Sequence, residues 1–199
     1  EYLHRRLNIW DNNADHYQTL FREGKIDYYE FCRRDALLWK GLLVSRVVDM
    51  LQGIAYHNGS FEVIRALKKR GVYTVILSTG LSFLVEKVKT DLGMDMALSN
   101  ELLSEGDSLT GEIKINIEFN KKGGVVEKIL KEIGVDRAES CAIGDGEGDA
   151  AMFESVGLAI GFHPHDSVSN VIHYRIYSDS LIDMISIVDE YERQTTRIR

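Results

Sequence analysis

From about residue 58 onward, runs of strand length alternate with apolar residues at helical spacing, and that texture confines a chain to an α/β fold with a mostly parallel sheet. Phe61, Ile64, Leu67 and Lys68 lie at helical spacing, and Gly71 ends that helix. The run Val72-Tyr73-Thr74-Val75-Ile76-Leu77 is continuously β-prone, as in strands buried on both faces. A helix over about residues 81–92 stops at Gly93, and a short strand is expected near Ala97-Leu98. Strict alternation from 109 to 119 then puts Ile113, Ile115, Ile117 and Phe119 on one face, and Gly106-Asp107 ahead of it predicts a β-hairpin. Val125, Val126, Ile129, Leu130 and Ile133 mark a helix closed by Gly134. Cys141-Ala142-Ile143 and Leu158-Ala159-Ile160 read as short buried strands around a helix over about 149–156. A last strand is expected over 174–177, then a helix through Leu181, Ile182, Ile185 and Val188, with the tail after Glu190 frayed.

Residues 1–57 have a different texture. They show no strand-like run; Leu37, Leu38 and Leu42, then Val44, Val47, Val48 and Leu51, fall at helical spacing with Gly24, Gly41 and Gly53 as breaks. The expected organisation is a small helical bundle over 1–57 followed by an α/β core over 58–199. At 199 residues the chain buries roughly 70% of its unfolded surface and needs neither disulfide nor structural metal.

Charge and composition narrow the function. A net charge of −7 argues against a nucleic-acid surface, although local basic groups can still hold one phosphate. No apolar run reaches membrane-spanning length, and the first residues do not read as a signal peptide. Cys32 and Cys141 form no Cys-x-x-Cys pair and read as buried thiols in a reducing, cytoplasmic setting.

In open parallel sheets, ligands bind beyond the carboxyl ends of the strands. Ser78-Thr79-Gly80 follows the strand ending at Leu77, and Gly144-Asp145-Gly146-Glu147-Gly148-Asp149 follows the strand ending at Ile143. Lys121-Lys122-Gly123-Gly124 opens the helix leading into that second strand. Taken singly, each reads as an N-cap, a turn or a solvated lysine. The glycine loop lacks the Lys-Ser/Thr ending of a P-loop and the spacing of a dinucleotide fingerprint. Counted from Asp145 as an EF-hand, its sixth and twelfth positions hold Ala150 and Val156 instead of Gly and Glu. His163-Pro164-His165-Asp166 reads as a loop rather than a metal centre.

Together, a hydroxyl, a lysine and two aspartates at strand or helix ends resemble motifs II, III and IV of the haloacid dehalogenase-like phosphohydrolases. The phosphoserine phosphatase-type branch, with a helical cap ahead of motif II, is the nearest likeness. It extends to Glu23-Gly24-Lys25, Leu109-Thr110-Gly111, Asn120-Lys121-Lys122-Gly123 and Asp149-Ala150-Ala151-Met152-Phe153. The resemblance implies a Rossmann-like core with helices on both faces, and Mg²⁺-dependent hydrolysis of a small phosphorylated metabolite through an aspartyl-phosphate. It implies that Ser78, with the N–H groups of Thr79 and Gly80, binds phosphate, and that Lys122 offsets negative charge there. By the same likeness Asp145 is a metal ligand, and Asp149 holds a metal-bound water or orients Lys122. Tyr28, Arg33 and Arg34 of the cap are expected near the substrate, and the protein is expected to act as a monomer or homodimer.

The chain departs from this pattern in three places. No Asp-x-Asp string occurs in it, so the nucleophile and its strand are expected upstream of Glu1 and these residues alone are expected to be inactive. Gly148 stands where phosphoserine phosphatases usually have Asn, and Asp35 falls where a carboxylate-gripping Arg is expected. The competing expectation is a catalytically inactive relative that binds a phosphorylated ligand or a protein partner.

Overall fold

The computed structural model describes residues 12–196 and divides them into two compact units. The first takes the described residues through Ala55 together with Val75–Asp91 and Asp95–Glu118. The second takes Tyr56–Thr74, Leu92–Met94 and the described chain from Phe119 onward. The α/β class with parallel strands is as the sequence pattern demands, but the strands form two three-stranded sheets, one in each unit.

The first unit begins with helices α1 (Asn12–Arg22), α2 (Tyr28–Leu37) and α3 (Val44–Leu51). The Asp27 carboxylate accepts from the Glu30 N–H at 2.8 Å and so starts α2. Strand β1 (Val75–Leu81), helix α5 (Ser82–Leu92) and the hairpin β2 (Met96–Glu105) and β3 (Ser108–Lys114) complete the unit; α4 belongs to the second. The sheet order is β1-β2-β3, with β1 parallel and β3 antiparallel to β2. Its core holds Ala36, Trp39, Val47, Leu102 and Leu109, and the Trp39 side chain is fully enclosed.

Two expectations about these strands and the residues leading into them fail for physical reasons. The alternation from 109 to 119 does not continue as strand past Lys114, because the N–H groups of Asn116 and Ile117 both donate to the Asn100 side-chain oxygen, each at 2.9 Å. The run after Gly71 is not buried on both faces. Val72 and Tyr73 are exposed, and β1, at the edge of its sheet among the described residues, is half-buried along most of its length.

The hairpin turn also caps a helix 62 residues away in sequence. Asp107 accepts from the Ser45 N–H at 2.9 Å and from its hydroxyl at 2.6 Å, at the first turn of α3. These bonds hold the Asp107 carboxyl below its ordinary range. A depressed folded value means that the stabilisation is complete above the unfolded value of about 3.9 and is lost as pH falls through the folded one. Urea titrations of wild type and Asp107→Ala are therefore expected to differ at neutral pH and to converge in acid. Equal separation at every pH would show that the carboxylate charge contributes nothing.

The second unit contains α4 (Ser60–Lys69), α6 (Lys122–Ile133), β4 (Cys141–Gly144), α7 (Ala150–Phe153), β5 (Leu158–Phe162), β6 (Tyr174–Ile176) and α8 (Met184–Thr196). Its sheet is wholly parallel in the order β4-β5-β6. Val63, Leu67, Leu158, Ile160, Ile176, Met184 and Val188 bury its core. The helix after the glycine-rich loop is one short turn, preceded by a 3₁₀ turn over Glu147–Asp149, rather than a helix over 149–156. The chain beyond Glu190 is helical to Thr196, because the Tyr191 hydroxyl donates to the Ala138 carbonyl at 2.9 Å and anchors that end. Cys32 is buried, but Cys141 is exposed, since among the described residues β4 pairs with a strand on one side only. No described helix is long and apolar enough to cross a membrane.

Candidate active site

The second unit assembles the lysine and the two aspartates. Lys122 is the first residue of α6, and Asp149 closes the turn that follows β4. The Lys122 ammonium donates to Asp149 Oδ1 at 2.6 Å, with the two side chains only 10% and 11% exposed. Asp149 Oδ2 accepts from the Asp145 N–H at 3.0 Å. One buried carboxylate therefore orients the lysine and pins the backbone of the loop that presents Asp145. Burial of a charged pair is tolerated only when each partner is neutralised and hydrogen-bonded, and both conditions hold here.

Two glycines make this geometry possible by close approach. A Cβ on Gly144 would lie 2.4 Å from Asp149 Oδ2, where no atom fits. A Cβ on Gly123 would meet the Ala151 carbonyl oxygen at 2.5 Å and Ser155 Oγ at 2.7 Å, so glycine lets the start of α6 pack against α7. Asp145, at the carboxyl end of β4, is exposed. With His57, Ile143, Gly144, Phe162 and His163 it lines a cavity of about 540 Å³. His163 belongs to a loop, its Nε2 within 3.0 Å of the Ser178 carbonyl oxygen and its ring edge-on to Phe162. The His165 N–H donates to the Asp145 carbonyl at 2.8 Å. Among the described residues no three His, Cys, Asp or Glu side chains gather as a metal centre.

The first unit carries the hydroxyl. Ser78, Thr79 and Gly80 lie inside β1 rather than after it, as a bulge: Leu77 pairs with Leu98 and Leu81 with Asn100. The Gly80 N–H donates to Ser78 Oγ at 3.0 Å. Asn100 is fully buried and donates to the Thr79 carbonyl at 3.1 Å and to the Tyr28 hydroxyl at 2.9 Å. Tyr28 is thus tied to the Ser78 loop, and its hydroxyl is held above the usual phenol range, chiefly by burial. Burial likewise pushes the Cys32 thiol up to about 11.

The two arginines of α2 are committed to a neighbour. Arg33 and Arg34 both donate to Glu30, at 2.8 Å and 2.6 Å through their Nε atoms, and lower its carboxyl to about 2. Arg34 also lies over the Tyr17 ring, 5.2 Å from its centroid. The structure therefore brings Lys122, Asp145 and Asp149 together in one unit and Ser78, Thr79, Gly80 and Tyr28 together in the other. Asn100 has no place in the motif pattern, and Gly123 and Gly144 stand within motifs that give them no role of their own. The polar Asn inside the run Met96–Glu105 was the one signal for the first of them.

A family model of haloacid dehalogenase-like hydrolases matches residues 4–154. The phosphoserine phosphatase of Methanocaldococcus jannaschii is 35% identical over 141 residues, covering 70% of this chain and 67% of that protein. That of Archaeoglobus fulgidus is 32% identical over 166 residues, covering 83% of this chain and 48% of that protein, so the chain spans about half of that relative's length. A substrate-bound phosphoserine phosphatase structure superposes with a TM-score of 0.81 at 28% identity, over 93% of this chain and 88% of that one. A phospho-aspartyl intermediate analogue of phosphoserine phosphatase gives 0.77 at 29% identity, over 88% and 84%. With the buried Lys122–Asp149 pair after β4 and the Ser78 bulge in β1, these matches place the chain among the haloacid dehalogenase-like hydrolases, in the phosphoserine phosphatase-type branch.

Proposed function

We propose that this chain carries the phosphate-handling residues of a Mg²⁺-dependent phosphatase that hydrolyses a small phosphomonoester through an aspartyl-phosphate. The observation that carries the reading is the buried Lys122–Asp149 pair beside Asp145 at the carboxyl end of β4. A phosphoryl group and a carboxylate nucleophile repel each other, and a fixed ammonium offsets that repulsion. Ser78 supplies a hydroxyl to a phosphate oxygen, with the Thr79 and Gly80 amides beside it. Asp145 fits Mg²⁺, a hard cation that takes one or two carboxylates and fills its remaining positions with water and phosphate oxygens. When bound, the metal neutralises charge on the phosphate. Asp149, whose two oxygens are engaged by Lys122 and by the Asp145 N–H, serves mainly to orient the lysine.

Segment 1–57, of which residues 1–11 lie outside the described residues, is proposed as a cap domain to an α/β core 58–199, with Tyr28 bonded to the phosphate loop and Arg33 and Arg34 held back by Glu30. The substrate is a small phosphorylated metabolite of the phosphoserine kind, handled by a cytoplasmic monomer or homodimer. The absence of any Asp-x-Asp string puts the proposed nucleophile outside these 199 residues, and it also favours the second reading, a non-catalytic binder of a phosphorylated ligand.

Phosphate release from a panel of phosphomonoesters, phosphoserine included, separates the two. The expected result is Mg²⁺-dependent turnover by the protein extended through its native upstream residues and none by residues 1–199. No turnover by either, with phosphate bound, would support the binder. In the active protein Ser78→Ala is expected to lower kcat/KM about 10- to 100-fold, as loss of one hydrogen bond to a charged group does. An unchanged kcat/KM would remove Ser78 from the site.

A further inference from the structure

We propose that Asn100 is a positioning residue for phosphate binding: its amide fixes the 78–80 bulge and links it to the cap through Tyr28. The proposal rests on the reading of Ser78 as a phosphate ligand given above. A side-chain amide has two N–H donors and an oxygen that accepts twice. Asn100 is fully buried and uses all four. It donates to the Thr79 carbonyl at 3.1 Å and to the Tyr28 hydroxyl at 2.9 Å, and accepts from the Asn116 and Ile117 N–H groups, both at 2.9 Å.

Its place in the register explains what these bonds do. From Leu77 to Leu81 β1 advances four residues while β2 advances two, from Leu98 to Asn100. Two residues of β1 are therefore in excess, and Asn100 stands where the pairing resumes. Because a peptide unit is planar and trans, its carbonyl and the next N–H point in opposite directions. Holding the Thr79 carbonyl against Asn100 thus turns the Gly80 N–H away from Asn100, onto Ser78 Oγ at 3.0 Å. Ser78 Oγ accepts that bond, which leaves its proton to be donated to a phosphate oxygen. An apolar residue at position 100 would remove all four bonds and leave the buried Ile117 N–H without its acceptor. The same amide touches the first residue of α2, so cap and phosphate loop share one rigid joint.

The test uses the active, upstream-extended protein and inorganic phosphate as a competitive inhibitor, with melting temperature measured alongside. Asn100→Asp keeps the acceptor for Asn116 and Ile117 but sets a carboxylate oxygen against the Thr79 carbonyl. The inhibition constant for phosphate is expected to rise about tenfold or more at neutral pH, and the Gly80 amide resonance to shift. Burial raises the carboxyl's pKa, and protonation restores a donor, so the ratio to wild type is expected to narrow as pH falls. Tyr28→Phe spares the bond from Asn100 to the Thr79 carbonyl while removing the Tyr28 hydroxyl's own bond with the Thr79 side chain, and is expected to raise the constant only about two- to fivefold, with a smaller Gly80 shift than in Asn100→Asp. Phosphate inhibition within twofold of wild type in both folded variants would overturn the proposal. If Asn100→Asp does not fold, Tyr28→Phe decides, an unchanged constant counting against it. Failure of wild type to bind phosphate would instead overturn the reading of Ser78, while the Gly80 shift would still report on Asn100.

Discussion

Replacing Lys122 with methionine, which keeps the side chain's length, is expected to stop turnover and to destabilise the second unit. The ammonium and the Asp149 carboxylate are each about nine-tenths enclosed and only 2.6 Å apart. Removing one partner leaves the other buried and uncompensated, an effect of about 3–5 kcal/mol where buried pairs have been broken. Asp149 keeps its bond from the Asp145 N–H, which points to the lower end of that range. Activity is expected to fall on the order of 10³-fold or more, because the lost charge acts where the phosphoryl group and its attacker meet. Denaturant titration and kcat on the same preparations separate the two effects. Asp149→Asn, which spares the lysine's charge but not its partner, is expected to give a smaller loss of activity. A Lys122→Met protein that is destabilised yet turns over normally would confine the pair to a structural role.

Gly144→Ala is expected to be nearly as severe, although it adds a single methyl group. That methyl would lie 2.4 Å from Asp149 Oδ2, the atom that accepts from the Asp145 N–H, and 2.7 Å from Asp149 Cγ. Either β4 or the carboxylate must move, and a displaced carboxylate takes Lys122 with it. Overpacking of this kind is worth about 1–3 kcal/mol. Gly146→Ala two residues on is the control, since its Cβ would come no closer than 3.9 Å to His165. Thermal melts should separate the two alanines clearly, and equal melting temperatures would mean that the 2.4 Å approach is relieved without consequence.

Where the sequence spoke through local rules, it was legible. Helix ends at Gly71, Gly93 and Gly134 follow from the left-handed conformation that glycine adopts there, with φ of 75°, 68° and 69°. The hairpin turn at Gly106-Asp107 followed from turn chemistry, and the pairing of Lys122 with Asp149 was one of two roles the motif resemblance allowed. What stayed hidden depends on partners distant in sequence. The strand ends at Lys114 because Asn100, 16 and 17 residues away, takes the next N–H groups. The Ser78 bulge lies within β1 because the register against β2 slips by two residues. Cys141 read as buried from its apolar neighbours, yet its exposure follows from β4 lying at the edge of the sheet among the described strands. Gly144 looked like a turn residue, and only the position of Asp149 shows why a side chain cannot stand there.

The most direct measurement is an acid quench of the upstream-extended protein during turnover of a ³²P-labelled phosphomonoester. The proposed chemistry predicts label on an aspartate outside residues 1–199, labile to hydroxylamine, dependent on Mg²⁺ and absent from Lys122→Met. Phosphate release with no trapped phosphoenzyme, or with label on a residue within this chain, would contradict it.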